Sequence, residues 1–307
     1  MTRALYIKLG AGDCWAERAL ATGVLPLGYS AVSFELIQIA LKNGFAAIQS
    51  FYQNNCGTGP GTATRFSNEV REFYSAGADV LWITFVNGSL WWCFAAVEVT
   101  EGPFEGINCS RYRQVQNGWS NQDLNGNPLL ISALRGSLTT TAGYRGTICS
   151  VREFEYLARR IRGESTPEVA QVRSARTTLI SKIAPLICGL HWKDFELLVE
   201  LIMTQGGYRR VTETGGTQKT TDIELVLPLT GERLFVQVKA RLDQNTVDGI
   251  LPDLLRMADG GRIFIVYHSG PPEIKHVHPQ VTIIGPASLA EHVVDLGLIK
   301  WIIGKTG

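Results

Sequence analysis

Two apolar runs, Thr-Asp-Ile-Glu-Leu-Val-Leu and Leu-Phe-Val-Gln-Val-Lys, flank a Pro-Leu-Thr-Gly-Glu turn and end at Lys239. They read as two strands of a β-hairpin. Gln237 and Lys239 are two residues apart, so on a strand they share a face. Asp222 falls opposite them across the ladder. A carboxylate, an amide oxygen and an ammonium group then converge on one point. Such a trio can hold a divalent metal against a phosphodiester and activate water there. Asp and Lys on neighbouring strands more often form a solvated surface pair, so the flanking sequence has to decide.

That flank contains a helix led by His191-Trp192-Lys193-Asp194-Phe195-Glu196, then Gly207-Tyr208, then Gly215-Gly216, then Asp222 and Gln237-Val238-Lys239. In this order the set resembles the Mrr-type catalytic domain of the PD-(D/E)xK nucleases, over about residues 190 to 300. The helix–strand–hairpin–helix–strand order of this half of the chain suits an α/β sandwich with a mixed sheet. The resemblance implies Mg²⁺ or Mn²⁺ held by Asp222 and Gln237, with Glu196 as an outer ligand and Lys239 orienting or deprotonating the attacking water. Many such domains carry a further acidic residue in the loop before the catalytic Asp. Here Lys219 stands near that place, and Gln237 is neutral, so metal binding is expected to be weaker than at a two-carboxylate site.

The chain has 307 residues, enough for two domains, and its 45% hydrophobic and 19% charged content is ordinary for a globular protein. No apolar run reaches a membrane-spanning length and no signal-peptide core opens the chain, so a cytoplasmic protein with no membrane partner is expected. The six cysteines are scattered without a zinc spacing and read as mostly buried small hydrophobes. His276 and His278 read as a strand end rather than a metal site. The net charge of +1 does not advertise a nucleic-acid binder, although a cleft can be locally basic on a neutral protein. Arginines crowd residues 145 to 176, and Arg145, Arg159 and Arg160, together with Lys219 and Arg241, are the candidate DNA contacts. The alternative is a solvated helix face with pairs such as Glu155 and Arg159.

Along the chain, residues 1–165 read as a recognition domain, 166–185 as a linker helix and 186–307 as the nuclease domain. The first region is expected to be a mixed β-barrel-like sheet with helices at its side, giving an α/β (α+β overall) chain. Strands are expected at residues 4–9, 80–86 and 90–97, the last two joined at Asn87-Gly88, with shorter ones near 112–115 and 129–134. Helices are expected at 15–21, capped by Asp13 and ended at Gly23, at 32–48 and at 63–73. The Gly-rich stretch from Asn54 to Gly61 is no phosphate-binding Walker loop and reads as a surface loop able to touch a DNA backbone.

Trp15-Ala16-Glu17, the Gly23 to Tyr29 stretch and the paired strands around Trp82 and Trp91-Trp92 resemble the PUA, EVE and YTH-like modules that read modified bases. The resemblance implies a flipped, methylated base held between aromatic faces. Trp15, Trp82 and Trp91 are the candidate cage, and Asp13 and Ser33 the candidate base-edge contacts. Trp91 and Trp92 are adjacent on a strand and face opposite ways, so only one of them can line a given pocket. The combined expectation is a metal-dependent endonuclease that cuts double-stranded DNA bearing a modified base, in host defence by restriction. A homodimer is expected because one site cuts one strand. An inactive reader and a repair nuclease without modification dependence are the alternatives.

Overall fold

The computed structural model describes residues 1–211, 222–271, 274–275 and 278–307. They form two compact units, Met1–Thr166 and Pro167–Gly307.

The first unit runs β1 (Ala4–Ile7), α1 (Ala16–Thr22), β2 (Val24–Leu27), α2 (Phe34–Asn43), α3 (Ala46–Asn55), α4 (Pro60–Ser75), β3 (Leu81–Val86), β4 (Ser89–Ala95), β5 (Thr100–Glu101), β6 (Arg111–Ser120), α5 (Gly136–Thr139), β7 (Ile148–Ser150) and α6 (Phe154–Arg162). Its sheet has the order β2-β6-β4-β3-β1-β7, with β5 beside β6. It is mixed: β1 and β3 are parallel, while β3 and β4 form an antiparallel hairpin. Asn87 and Gly88 turn that hairpin with φ of 49° and 75°. Both angles are left-handed, as a tight primed turn requires.

Alternation along the strands splits the apolar residues between two faces. Leu5, Ile7 and Trp82 enter one core, and Tyr6, Leu81 and Ile83 enter the other. Helices α2, α3 and α4 build a third cluster around Ile37, Ile48 and Val70. The helix expected over 32–48 is two helices, because Gly44 at φ 96° breaks it. The strand expected at 129–134 is a short 3₁₀ turn at Ile131–Ala133, tied to the sheet by a single bridge from Ser89 to Leu130. Asp13 does not cap α1, whose N-cap is Trp15 without a side-chain bond. Gly23 ends that helix in the left-handed conformation, as expected.

Two arginines on β6 are buried. Arg113 is fully enclosed and its guanidinium donates to the carbonyls of Ala96, Phe73 and Ala76, beside the ring of Trp82. Burial pushes its pKa down to about 10. The cysteines are all free thiols, and their expected burial holds for Cys93 and Cys109 alone. Cys149 is half-buried, and Cys14, Cys56 and Cys188 are exposed.

The second unit runs α7 (Pro167–Cys188), α8 (Trp192–Gln205), β8 (Arg209–Arg210), β9 (Ile223–Leu227), β10 (Glu232–Arg241), α9 (Gln244–Ala258), β11 (Arg262–Ser269), β12 (Val281–Ile284), α10 (Pro286–Asp295) and α11 (Ile299–Thr306). Its sheet is ordered β12-β11-β10-β9-β8. Strands β10, β11 and β12 are parallel, and β8, β9 and β10 are antiparallel. One face carries Leu225, Val236 and Val266 into a core shared with α7, α8 and α10. The other carries Phe235, Ile265 and Tyr267 against Val247 and Leu254 of α9. The result is the expected α/β sandwich with a mixed sheet. Helix α7, expected to be a linker over residues 166–185, buries Ile183 and Ile187 in this core and so belongs to the second unit. Among the described residues no helix is long and apolar enough to cross a membrane.

Candidate active site

Strand β10 is central, so its middle is covered on both faces and reads as a near-continuous apolar run. Leu234, Val236 and Val238 point one way, and Phe235, Gln237, Lys239 and Arg241 the other. Burial falls off along the second set. Phe235 and Gln237 are buried, Lys239 is half-buried and Arg241 is exposed. The polar end of the strand therefore emerges from the sheet at the point where the chemistry is expected.

Asp222 stands one residue before β9, and its N–H still donates to Val236 O at 3.2 Å. The register pairs Ile223 with Val236, which sets Asp222 against Gln237. Oδ2 of Asp222 accepts from the Gln237 side-chain amide and from the Val238 backbone N–H, the latter at 2.6 Å. These bonds orient the carboxylate while leaving Oδ1 without a partner among the described residues. Asp222 itself is exposed.

Helix α8 delivers Glu196. Its apolar residues Phe195, Leu198, Val199, Ile202 and Met203 are buried at helical spacing, and Glu196 sits half-buried at the margin of that stripe. Its carboxyl is held above the usual range, first by burial and then by the negative charge of Asp222. The cations Arg210 and Lys193 work in the opposite sense. The two carboxylates thus act on one another electrostatically. Removing the charge with Asp222→Asn should let the Glu196 pKa fall towards the ordinary carboxylate range. A carboxyl-carbon NMR titration of both proteins checks this, and an unmoved Glu196 would mean that the two groups share no site.

Lys239 makes no hydrogen bond or ion pair among the described residues. It lies two residues beyond Gln237 on the same face. Lys193 and Arg210 were not anticipated as neighbours of Glu196. Lys193 precedes Glu196 by one helical turn, a spacing that could have been read. Arg210 arrives on β8 from outside that helix, and no local pattern announces it. Among the described residues no group of three or more His, Cys, Asp and Glu could hold a metal ion. The oxygens gathered here are therefore two carboxylates and one amide. Gly215, Gly216, Lys219 and His276 lie outside the described residues.

The residues proposed for a base pocket in the first unit are not equivalent. Trp82 is fully buried, edge-on to Phe73 at 6.0 Å and beneath Arg113. Neither of its faces is open to a base, which corrects the expectation that it lines a cage. Trp15 and Trp91 are half-buried and pack on the same core as Trp82. The indole N–H of Trp91 and Oδ1 of Asp13 are enclosed without hydrogen-bond partners among the described residues. Ser33 is exposed and caps α2, accepting from Leu36 N at 3.3 Å. Arg145 is exposed, while Arg159 and Arg160 are half-buried on α6.

The chain has no match among the curated proteins. Among solved structures, the MspJI restriction endonuclease in complex with a 27-mer oligonucleotide is similar at 13% identity and a TM-score of 0.23, over 80% of this chain and 70% of that one. At that score the likeness carries neither fold nor activity across. Over residues 187–252 the chain matches the Mrr-type catalytic family, described as a restriction endonuclease, and the matched segment takes in Glu196, Asp222, Gln237 and Lys239 together.

Proposed function

We propose that the chain is a divalent-metal-dependent DNA endonuclease that acts on duplexes carrying a modified base. The observation that carries the catalytic half is the fixed carboxylate of Asp222 beside Gln237 and Glu196, within the segment that matches a restriction endonuclease family. Oxygen donors of this kind suit a hard cation such as Mg²⁺ or Mn²⁺, which needs only one or two carboxylates when phosphate and water complete its shell. Asp222 Oδ1 and the Gln237 amide oxygen would hold it, with Glu196 as an outer ligand. When bound, such an ion would supply Lewis-acid stabilisation of the phosphate and make the water it holds more acidic.

The protein's own groups do the rest. The two bonds to Oδ2 keep the Asp222 carboxylate from rotating, so its free oxygen is presented in one direction. Lys239 brings a positive charge to the same face of β10, where it orients the attacking water or balances charge building on the phosphate. Its partial burial strengthens that interaction by excluding competing solvent. Cutting both strands takes two such sites, so a homodimer on DNA is part of the proposal.

The modification dependence rests on the resemblance of the first unit to base-reading modules. Purified protein with Mg²⁺ or Mn²⁺ is to be offered plasmids bearing N6-methyladenine, 5-methylcytosine, 5-hydroxymethylcytosine or no mark. Cleavage confined to at least one marked plasmid is expected. Equal cleavage of unmarked DNA would leave a nuclease without modification dependence. Binding without cleavage under every metal would leave an inactive reader.

A further inference from the structure

A groove crosses the first unit where α4 approaches the segment from Ser137 to Glu153. It has two parts, of about 450 Å³ and about 780 Å³, and Tyr144, Cys149 and Ser150 line both. Tyr144 is therefore the wall common to the two halves. It is held at both ends: Lys8 Nζ donates to its carbonyl oxygen at 3.1 Å, and its hydroxyl donates to Glu69 Oε1 at 3.1 Å. Burial and the neighbouring Glu69 carboxylate push its hydroxyl pKa up to about 12, so it stays a donor at any working pH.

The charges around this groove do not balance. Glu69 is almost fully buried, and its carboxylate already accepts from the hydroxyls of Tyr29 and Tyr144 and from Thr147 N, with Arg65 at 3.8 Å. Glu72 is paired with Arg3, and Glu153 with Arg135. Every carboxylate on the lining is thus engaged. Arg71 and Arg152 also line the groove, both exposed, and Arg145 is exposed next to Tyr144. None of the three forms an ion pair among the described residues. Gly61, at the end of the Gly-rich stretch, lies along the same groove, where the lack of a side chain leaves room for a close approach.

An open channel with unpaired arginines on both sides of one anchored aromatic ring suits a polyanion whose repeating unit also presents a flat π-face. We propose that this groove is the DNA-contacting surface of the first unit, with Arg71 and Arg152 on phosphates and one base, turned out of the duplex, stacked on Tyr144. The proposal rests on DNA being the substrate. It places the aromatic contact away from the tryptophans of the neighbouring core.

The test measures binding by the full chain in EDTA, so that no cleavage intervenes, on labelled duplexes with and without 5-methylcytosine across a salt series. The double variant Arg71→Gln with Arg152→Gln changes exposed side chains only. It should lower the slope of log affinity against log salt by about 2, one unit for each phosphate that is no longer neutralised. Tyr144→Ala should weaken binding by roughly fivefold to a hundredfold, as removal of one stacking ring does, whereas Tyr144→Phe keeps the ring but not its bond to Glu69 and should retain most of the parent's affinity. Unchanged slope and affinity in the double variant would overturn the groove while leaving cleavage at the Asp222 site untouched. Absence of DNA binding by the parent would overturn both. Failure of cleavage alone, with the variant effects present, would remove the nuclease reading and keep the groove.

Discussion

Asp222→Asn should lower plasmid cleavage by roughly 10³-fold or more, the scale on which single catalytic groups act, while duplex affinity stays within about twofold of the parent. Asparagine is the informative replacement because the carboxylate has a structural task as well. Its Oδ2 accepts from Val238 N and from the Gln237 amide. An amide oxygen can keep the backbone bond, so the strand edge survives and only the charge is removed. Alanine would leave the Val238 N–H unpaired at the margin of the sheet, which costs about 1–3 kcal/mol by itself where water cannot replace the acceptor. Lys239→Ala should reduce cleavage in the same way, since its ammonium group has no structural partner among the described residues. Single-turnover cleavage and gel shift on the same preparations check this. Metal-dependent nicking that persists at the parental rate in Asp222→Asn would remove this carboxylate from the mechanism.

The largest effect on stability is expected far from that site, at Arg113. Its side chain is completely enclosed and ties the carbonyls of Phe73 and Ala76, at the end of α4, to Ala96 just past β4. Arg113→Ala leaves three carbonyls without their donor and opens a cavity against Phe73 and Trp82. Breaking a buried charged group's network and leaving a void each cost several kcal/mol, so a destabilisation of about 4 kcal/mol is expected. For a unit of this size that is a fall of roughly 10 °C in Tm. Arg113→Lys should not restore it, because an ammonium group has no planar fork to reach three diverging carbonyls. Tryptophan fluorescence during thermal unfolding reports directly, as Trp82 lies against the guanidinium. A melting point unchanged from the parent's would show that the three bonds are replaceable.

The sequence announced what is local. The Asn87-Gly88 turn, the paired strands around it and the Asp222 to Lys239 hairpin follow from residue types a few positions apart, and the structure forms each of them. The ordered set from Phe195-Glu196 to Lys239 located the segment that matches a restriction endonuclease family. What could not be read depends on partners distant in the chain. Nothing in Arg111-Tyr112-Arg113 signals that both arginines turn inward, since that requires carbonyls from Val32, Phe73, Ala76 and Ala96 to be waiting. A tryptophan count could not separate Trp82, sealed in the core, from Trp15 and Trp91 at its margin. Glu69 and Tyr144 are 75 positions apart and carry no motif. Their meeting depends on α4 lying across the end of the sheet.

The two sheets differ in how far the chain must reach to close them. In the second unit the described strands each pair with the next in sequence, from β8 through to β12. In the first, Leu5 finds its neighbours at Trp82 and Ser150, and Val24 at Gln114. Long loops must be closed before such ladders are rewarded, whereas pairings between consecutive strands can zip as they emerge. During synthesis, then, the amino-terminal unit is made first yet holds its opening strand only half-paired until residue 150 has been added. Its apolar edge is exposed to other nascent chains for most of that interval.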